Sequence, residues 1–240
     1  MKRLLLAATL ASLTVTLVFA LWVTPPRPNQ GFDAVRLLYL HVPTAWIAYL
    51  AFGVTALASV LWLVPRTRDT AWDLLAGASA EVGVVFTGLT LILGSLWGRP
   101  AWGTWWEWDA RLTTTAILFF LYLGYLALRR TGSTAEERGK RSAIAAVIAF
   151  ADVPISYLSV TWWQTLHQQG TVFNADRHVL IDGSMAFTLI ASVVSFTLLY
   201  GYLVLERFQL AQLEEGREER DLERAIQERL RAEQVEVVPA

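Results

Sequence analysis

Residues Leu74–Trp97 read LLAGASAEVGVVFTGLTLILGSLW, a run in which Glu81 is the only charge. A helix of this length rises about 36 Å at about 1.5 Å per residue, enough to cross about 30 Å of hydrocarbon. Working outward, five further apolar runs have comparable reach: Leu4–Val23, Tyr39–Leu63, Thr113–Leu128, Ser142–Trp163 and Ser184–Leu205. The spacing predicts an all-α, polytopic membrane protein with six transmembrane helices. Composition agrees, with 55% hydrophobic residues and a mean hydropathy of +0.41. Cysteine is absent, which excludes disulfides, thiolate metal sites and thioether attachment to this chain. No basic patch interleaves with aromatics on a soluble face, so nucleic acid is not a partner. The N-terminal run ends in LWVTPP without a small-x-small cleavage site, and is read as a retained span rather than a signal peptide.

Lysine and arginine in the short connectors set the orientation. Lys2, Arg3, Arg66, Arg68, Arg129, Arg130, Arg138, Lys140 and Arg141 fall on one side. Arg27, Arg36, Arg99, Arg111 and Arg177 fall on the other. The first side is expected to be cytoplasmic, which places both termini inside and the connectors 24–38, 98–112 and 164–183 outside. Residues 1–205 then form the membrane domain, and 206–240 a charged cytoplasmic helical tail. In that tail Leu222, Ile226 and Leu230 recur four apart on a charged helix, which reads either as a solvated helix or as a docking helix. Gly216 is expected to separate it from the sixth span.

The third run continues into GRPAWGTWWEWDARLT, so that Trp97–Thr113 hold five tryptophans: Trp97, Trp102, Trp105, Trp106 and Trp108. Single tryptophans near span ends, such as Trp22, Trp46, Trp62 and Trp72, are accounted for by the interfacial aromatic belt. A belt does not need five in one connector. Gly98, Pro100 and Gly103 are expected to break helix there, leaving an apolar surface on which a flat aromatic ligand can stack. His41, in LYLHVPTAWIAYL, lies near the outer end of the second span, and His167, in WWQTLHQQG, follows the fifth. Alone, each is most simply a satisfied interfacial polar residue. Together with the tryptophans they suit an iron porphyrin: two imidazoles for the axial positions, and Arg99, Arg111, Arg36 or Arg177 for the propionates. A metal held by protein alone would want three or four ligands. His178 shares the loop of His167, but has neighbours of loop character.

The tryptophan segment resembles the WWD signature of haem-handling membrane proteins, closest to the CcmC (haem exporter protein C) family of system I cytochrome c maturation. LYLHVPTAWIAYL and ADVPISYLSVTWWQTLHQQG resemble that family's two histidine regions, and the likeness covers roughly residues 1 to 205. The resemblance implies a haem handling and transfer protein rather than a conventional enzyme, and no ATPase motif is present. Such a protein holds haem b at the outer, periplasmic face of the bacterial inner membrane, and presents it to the chaperone CcmE for covalent attachment. The implied partners are CcmE, the ABC transporter CcmA/CcmB, the small membrane protein CcmD and membrane lipid. By motif match, His41 and His167 carry over as axial haem histidines, and Trp102, Trp105, Trp106, Trp108 and Asp109 as the haem-contacting loop.

Three alternatives have sequence signatures of their own. An electron-transfer subunit of cytochrome b type wants histidines deep in facing helices, often four for two haems. A WWD-type cytochrome c haem lyase wants more spans, more histidines and a large outer domain. A secondary transporter wants internal repeats, and none is visible. Glu81 and Asp152 sit inside predicted spans, where acids are costly; each reads as packing glue, protonated or bonded to a neighbour such as Ser156 or Tyr157, or as part of a proton or haem route, and Pro154 after Asp152 is expected to kink the fifth helix.

Overall fold

The computed structural model describes residues 2–25, 33–131, 134–167 and 183–236, with the side chains of 219 and 232–236 left aside. Among these residues the chain is helical, with no strand. Helix α1 (Lys2–Val18) gives way to a π-helical turn at Phe19–Val23, and a short 3-10 turn (Asp33–Leu37) leads into α2 (Leu38–Leu63). Then follow α3 (Thr70–Trp102), α4 (Ala110–Leu128), α5 (Ala135–Phe150), α6 (Asp152–Trp162) and α7 (Gly183–Glu236). Six helical stretches are long and apolar enough to cross a membrane: 2–23, 33–63, 70–102, 110–128, 135–162 and 183–231.

The fifth span breaks beside the proline expected to kink it, and the start of the tail differs from the sequence reading. The fifth span is a broken helix: α5 stops at Phe150, and α6 restarts at Asp152. Pro154 cannot donate to a carbonyl one turn back, so the break sits where the helix ladder is interrupted. Gly216, expected to separate the tail, lies within a continuous α7 of 54 residues. One glycine costs a helix only about 1 kcal/mol, and the Glu, Arg, Leu and Gln around it are good helix formers. Glu215 beside it pairs with Arg138 of α5 at 3.2 Å, tying the root of the tail to the bundle. Further along, Leu222, Ile226 and Leu230 are exposed.

Between apolar lipid and apolar helices there is little hydrophobic driving force, so close packing and hydrogen bonds hold the bundle. Phe52 of α2 stacks on Tyr122 of α4 with ring centres 3.6 Å apart, among Ala80, Val84, Leu118, Ala146 and Ala149. Ile47, Ala51, Val82 and Phe86 meet Phe196 and Tyr200 of α7. Helix α1 is fastened to α7 by hydroxyls: Ser12 and Thr16 on Ser195 at 2.5 and 2.9 Å, and Thr24, just past the π-helical turn, on Thr188 at 2.7 Å.

One end of the bundle gathers the charges. Asp73 and Arg129 form a bidentate pair at 2.6 and 2.9 Å, Arg68 meets Glu136 at 3.3 Å, and Lys2 meets Glu206 at 2.8 Å. Nearby, Glu81 is in close contact with Arg207. The pairing explains how an acid is tolerated there: its charge is met by a guanidinium from the continued α7. Asp152 is different, for its Oδ2 is buried with no hydrogen-bond partner; Ser156 bonds to Tyr49 and Thr115 instead.

Candidate functional site

The opposite end of the bundle collects the start of α2, the link between α3 and α4, and the residues after α6. His41 stands in the first turn of α2, with the backbone of Thr90 of α3 beside its ring. Below it α3 offers Gly94, and any Cβ there would lie 2.9 Å from His41 Cε1. Thr44 donates to the His41 carbonyl at 2.7 Å, fixing the turn that carries the ring.

Helix α3 does not stop at Gly98 or Pro100, as the sequence alone led us to expect; it continues to Trp102. Pro100 fits because its missing N–H costs a single bond in the last turn, and Gly98 fits because a side chain would press on the Thr104 carbonyl at 3.0 Å. The helix ends at Gly103, whose φ of 80° is a left-handed conformation that glycine adopts without strain. The chain then folds back on α3: Ser95 donates to the Trp105 carbonyl at 2.7 Å, and Arg99 donates to the Gly103 carbonyl.

The tryptophans divide by this geometry. Trp97 packs with Tyr39, Val35 and Met185 against the core. Trp102 meets His167 edge-on, ring centres 4.8 Å apart. Trp106 and Trp108 meet each other at 79°, so the indoles form corners rather than one flat sheet. Trp105 and Trp108 are 54% and 74% exposed, and Trp162 and Trp163 are exposed as well, so a broad apolar rim faces outward.

The two histidines arrive from different parts of the chain, yet their ring centres lie 6.5 Å apart at 34°. The Nδ1 atoms of both, and the Nε1 of Trp106, are buried without a hydrogen-bond partner. Such orphans cost about 1–3 kcal/mol each and are uncommon in native structures. Burial, the nearby Arg111 guanidinium and His41 itself hold the His167 imidazole well below its ordinary range, at about 4. His167 is therefore a neutral nitrogen donor at pH 7.

The charged residues named from the sequence are engaged within the chain. Asp109 caps α4, accepting from Leu112 N at 2.8 Å, and also accepts from Leu166 N at 2.9 Å. Arg111 donates to the carbonyls of Ser156 and Tyr157 at 2.7 and 3.0 Å, and its guanidinium lies 5.7 Å from the Tyr49 ring centre. Arg36 donates to the Leu21 carbonyl at 2.8 Å and approaches Asp33 at 3.2 Å. Arg27, Arg177 and His178 lie outside the described residues. Sequence reasoning missed Gly94 and Thr90, which only the helix packing brings to His41. The cap at Asp109 had a signal, an Asp directly before an apolar run.

A family model for heme exporter protein C matches residues 1–223. The chain belongs to the heme exporter protein C family. Proteins named heme exporter protein C are similar along most of its length. That of Bradyrhizobium diazoefficiens is 40% identical over 196 residues, 82% of this chain and 73% of the relative. That of Haemophilus influenzae is 38% identical over 207 residues, 86% and 82% of the two chains. That of Escherichia coli K12 is 37% identical over 205 residues, 84% and 80%. The heme exporter protein C match runs beyond residue 205 into the first part of the tail, consistent with an α7 that does not stop there.

Proposed function

We propose that this chain handles haem for cytochrome c maturation, holding haem b as cargo between His41 and His167 and presenting it to the chaperone CcmE at the periplasmic face of the inner membrane. The observation that carries this reading is the 6.5 Å between the two ring centres. An imidazole nitrogen binds a metal at about 2 Å, and the ring centre lies on the order of 1 Å farther out, so two axial rings stand about 6 Å apart across one iron. The gap suits one metal centre and its macrocycle without rebuilding the backbone. Both rings also offer an unpartnered nitrogen.

Each part of the site then has a task. His41 and His167 supply neutral donors from opposite sides. Trp102 braces the His167 ring edge-on, and the half-exposed Trp105 and the more exposed Trp108 cover the porphyrin while leaving an edge open to the chaperone. Arg99 is exposed and bonded only within its own turn, so it is the arginine free to turn toward a propionate; Arg111 is committed to two carbonyls of α6. CcmA, CcmB and CcmD complete the assembly in this reading. The cytochrome b alternative places its histidines deep in the bundle, whereas His41 opens α2 and His167 lies beyond the end of α6.

The test is the absorption spectrum of purified protein for wild type, His41→Ala and His167→Ala. Wild type should retain haem with a six-coordinate, low-spin spectrum. Each variant should lose that signature and fail to load the chaperone. If both variants keep the wild-type spectrum, the axial assignment is wrong.

A further inference from the structure

We infer that Asp109, at the end of the tryptophan segment and supported by Arg111, forms a clamp that sets the position of His167 and does not itself touch the cargo. The inference rests on the reading of His41 and His167 as haem ligands. His167 follows the end of α6 by five residues, in a segment without regular structure; Thr165 Oγ1 donates to its carbonyl at 3.2 Å and Trp102 meets its ring, but neither ties the backbone of the segment to another helix. A liganding ring must be held within about 0.5 Å of its working position. The missing restraint comes from α4. Asp109 divides its carboxylate between two tasks. Oδ1 caps α4 through Leu112 N, and Oδ2 accepts from the backbone N–H of Leu166, the residue next to His167. Two residues along the same turn, Arg111 donates to the Ser156 and Tyr157 carbonyls, gripping the helix from which that segment emerges. Each Asp109 oxygen is thus taken up by a backbone N–H, and Arg111 Nη1 by two backbone carbonyls.

A carboxylate is required because it alone offers two acceptors on one planar group. An asparagine in place of Asp109 would have one oxygen, which the cap would claim, since asparagine is among the best N-cap residues. A serine at this position would also cap α4, but is too short and has too few acceptors to reach Leu166 as well. Asp109→Asn and Asp109→Ser therefore keep the helix and release the His167 segment.

The experiment compares absorption spectra of the purified full chain for wild type, Asp109→Asn, Asp109→Ser and His167→Ala, with and without added imidazole. Both Asp109 variants are expected to behave as His167→Ala does. The six-coordinate, low-spin signature should give way to a five-coordinate one, with haem still held by His41, and free imidazole should restore the low-spin bands. Wild-type spectra in both Asp109 variants, alongside a changed His167→Ala, overturn the clamp and leave the axial reading standing. Haem loss that imidazole does not repair overturns it in favour of direct haem contact by Asp109. An unchanged His167→Ala overturns the axial reading and the clamp with it.

Discussion

Gly94→Ala offers the most direct probe of how the site is spaced. A Cβ at this position would lie 2.9 Å from His41 Cε1, 3.5 Å from Nδ1 and 3.7 Å from Nε2. Carbon atoms settle at about 3.5–4.0 Å, so the ring must retreat by roughly 0.6–1 Å. Helix α3 cannot yield in its place, because Ala80, Val82, Val84 and Phe86 bind it to the core. A functional constellation tolerates about 0.5 Å, so the displacement exceeds what the pair of histidines can absorb. Loss of an outer support of this kind lowers metal affinity by about 10–100-fold, or about 1.4–2.8 kcal/mol. The fold should not suffer, since alanine is favoured over glycine inside a helix by about 0.5–1 kcal/mol. The assay is a haem titration of depleted protein, followed by absorption. Gly124→Ala serves as control, because a Cβ there meets nothing within 4 Å. If Gly94→Ala binds haem within about twofold of wild type and with the same spectrum, Gly94 does not set the position of His41.

Two further outcomes are expected. Asp73→Asn strands Arg129, whose side chain is only 15% exposed, and should lower stability by about 3–5 kcal/mol; thermal unfolding in detergent checks this, and an unchanged Tm would show that the pair does not support the bundle. The second concerns pH. With the folded His167 at about 4 against an ordinary 6.5, the unfolded chain alone takes up the proton between those values. Apo-protein stability should therefore fall by about 1.4 kcal/mol per pH unit across that window, and stop falling below it, where the folded ring protonates too. The neutral donor form persists as pH drops from 7 toward 5, so the six-coordinate spectrum should hold through that range; a midpoint near 6.5 would mean that the ring is solvated.

Much of the architecture could be read from the chain. Long apolar runs have few alternatives in a membrane, because every backbone polar group must be satisfied within the segment, and the six runs map onto the six helical stretches. The local signals were less reliable. Pro100 and Gly98 near the end of α3, and Gly216 in α7, are weak breakers in a helix whose neighbours favour continuation, and in each case the helix won. Ahead of Pro154, at Ala151 where α5 and α6 part, the break came.

The chemistry divides in the same way. Residue types and local spacing are written along the chain, so the tryptophan density, the two histidine regions and the apolar runs could be found without coordinates. What packing alone decided is distance: the 6.5 Å between rings 126 positions apart in sequence, the room left for His41 by Gly94, and the carboxylate of Asp109 reaching across to Leu166. Periodicity reports which face of a helix is apolar, but not how far that helix slides or turns against its neighbours. A binding site depends on shifts of a fraction of an ångström, and those are settled by side chains meeting from separate helices.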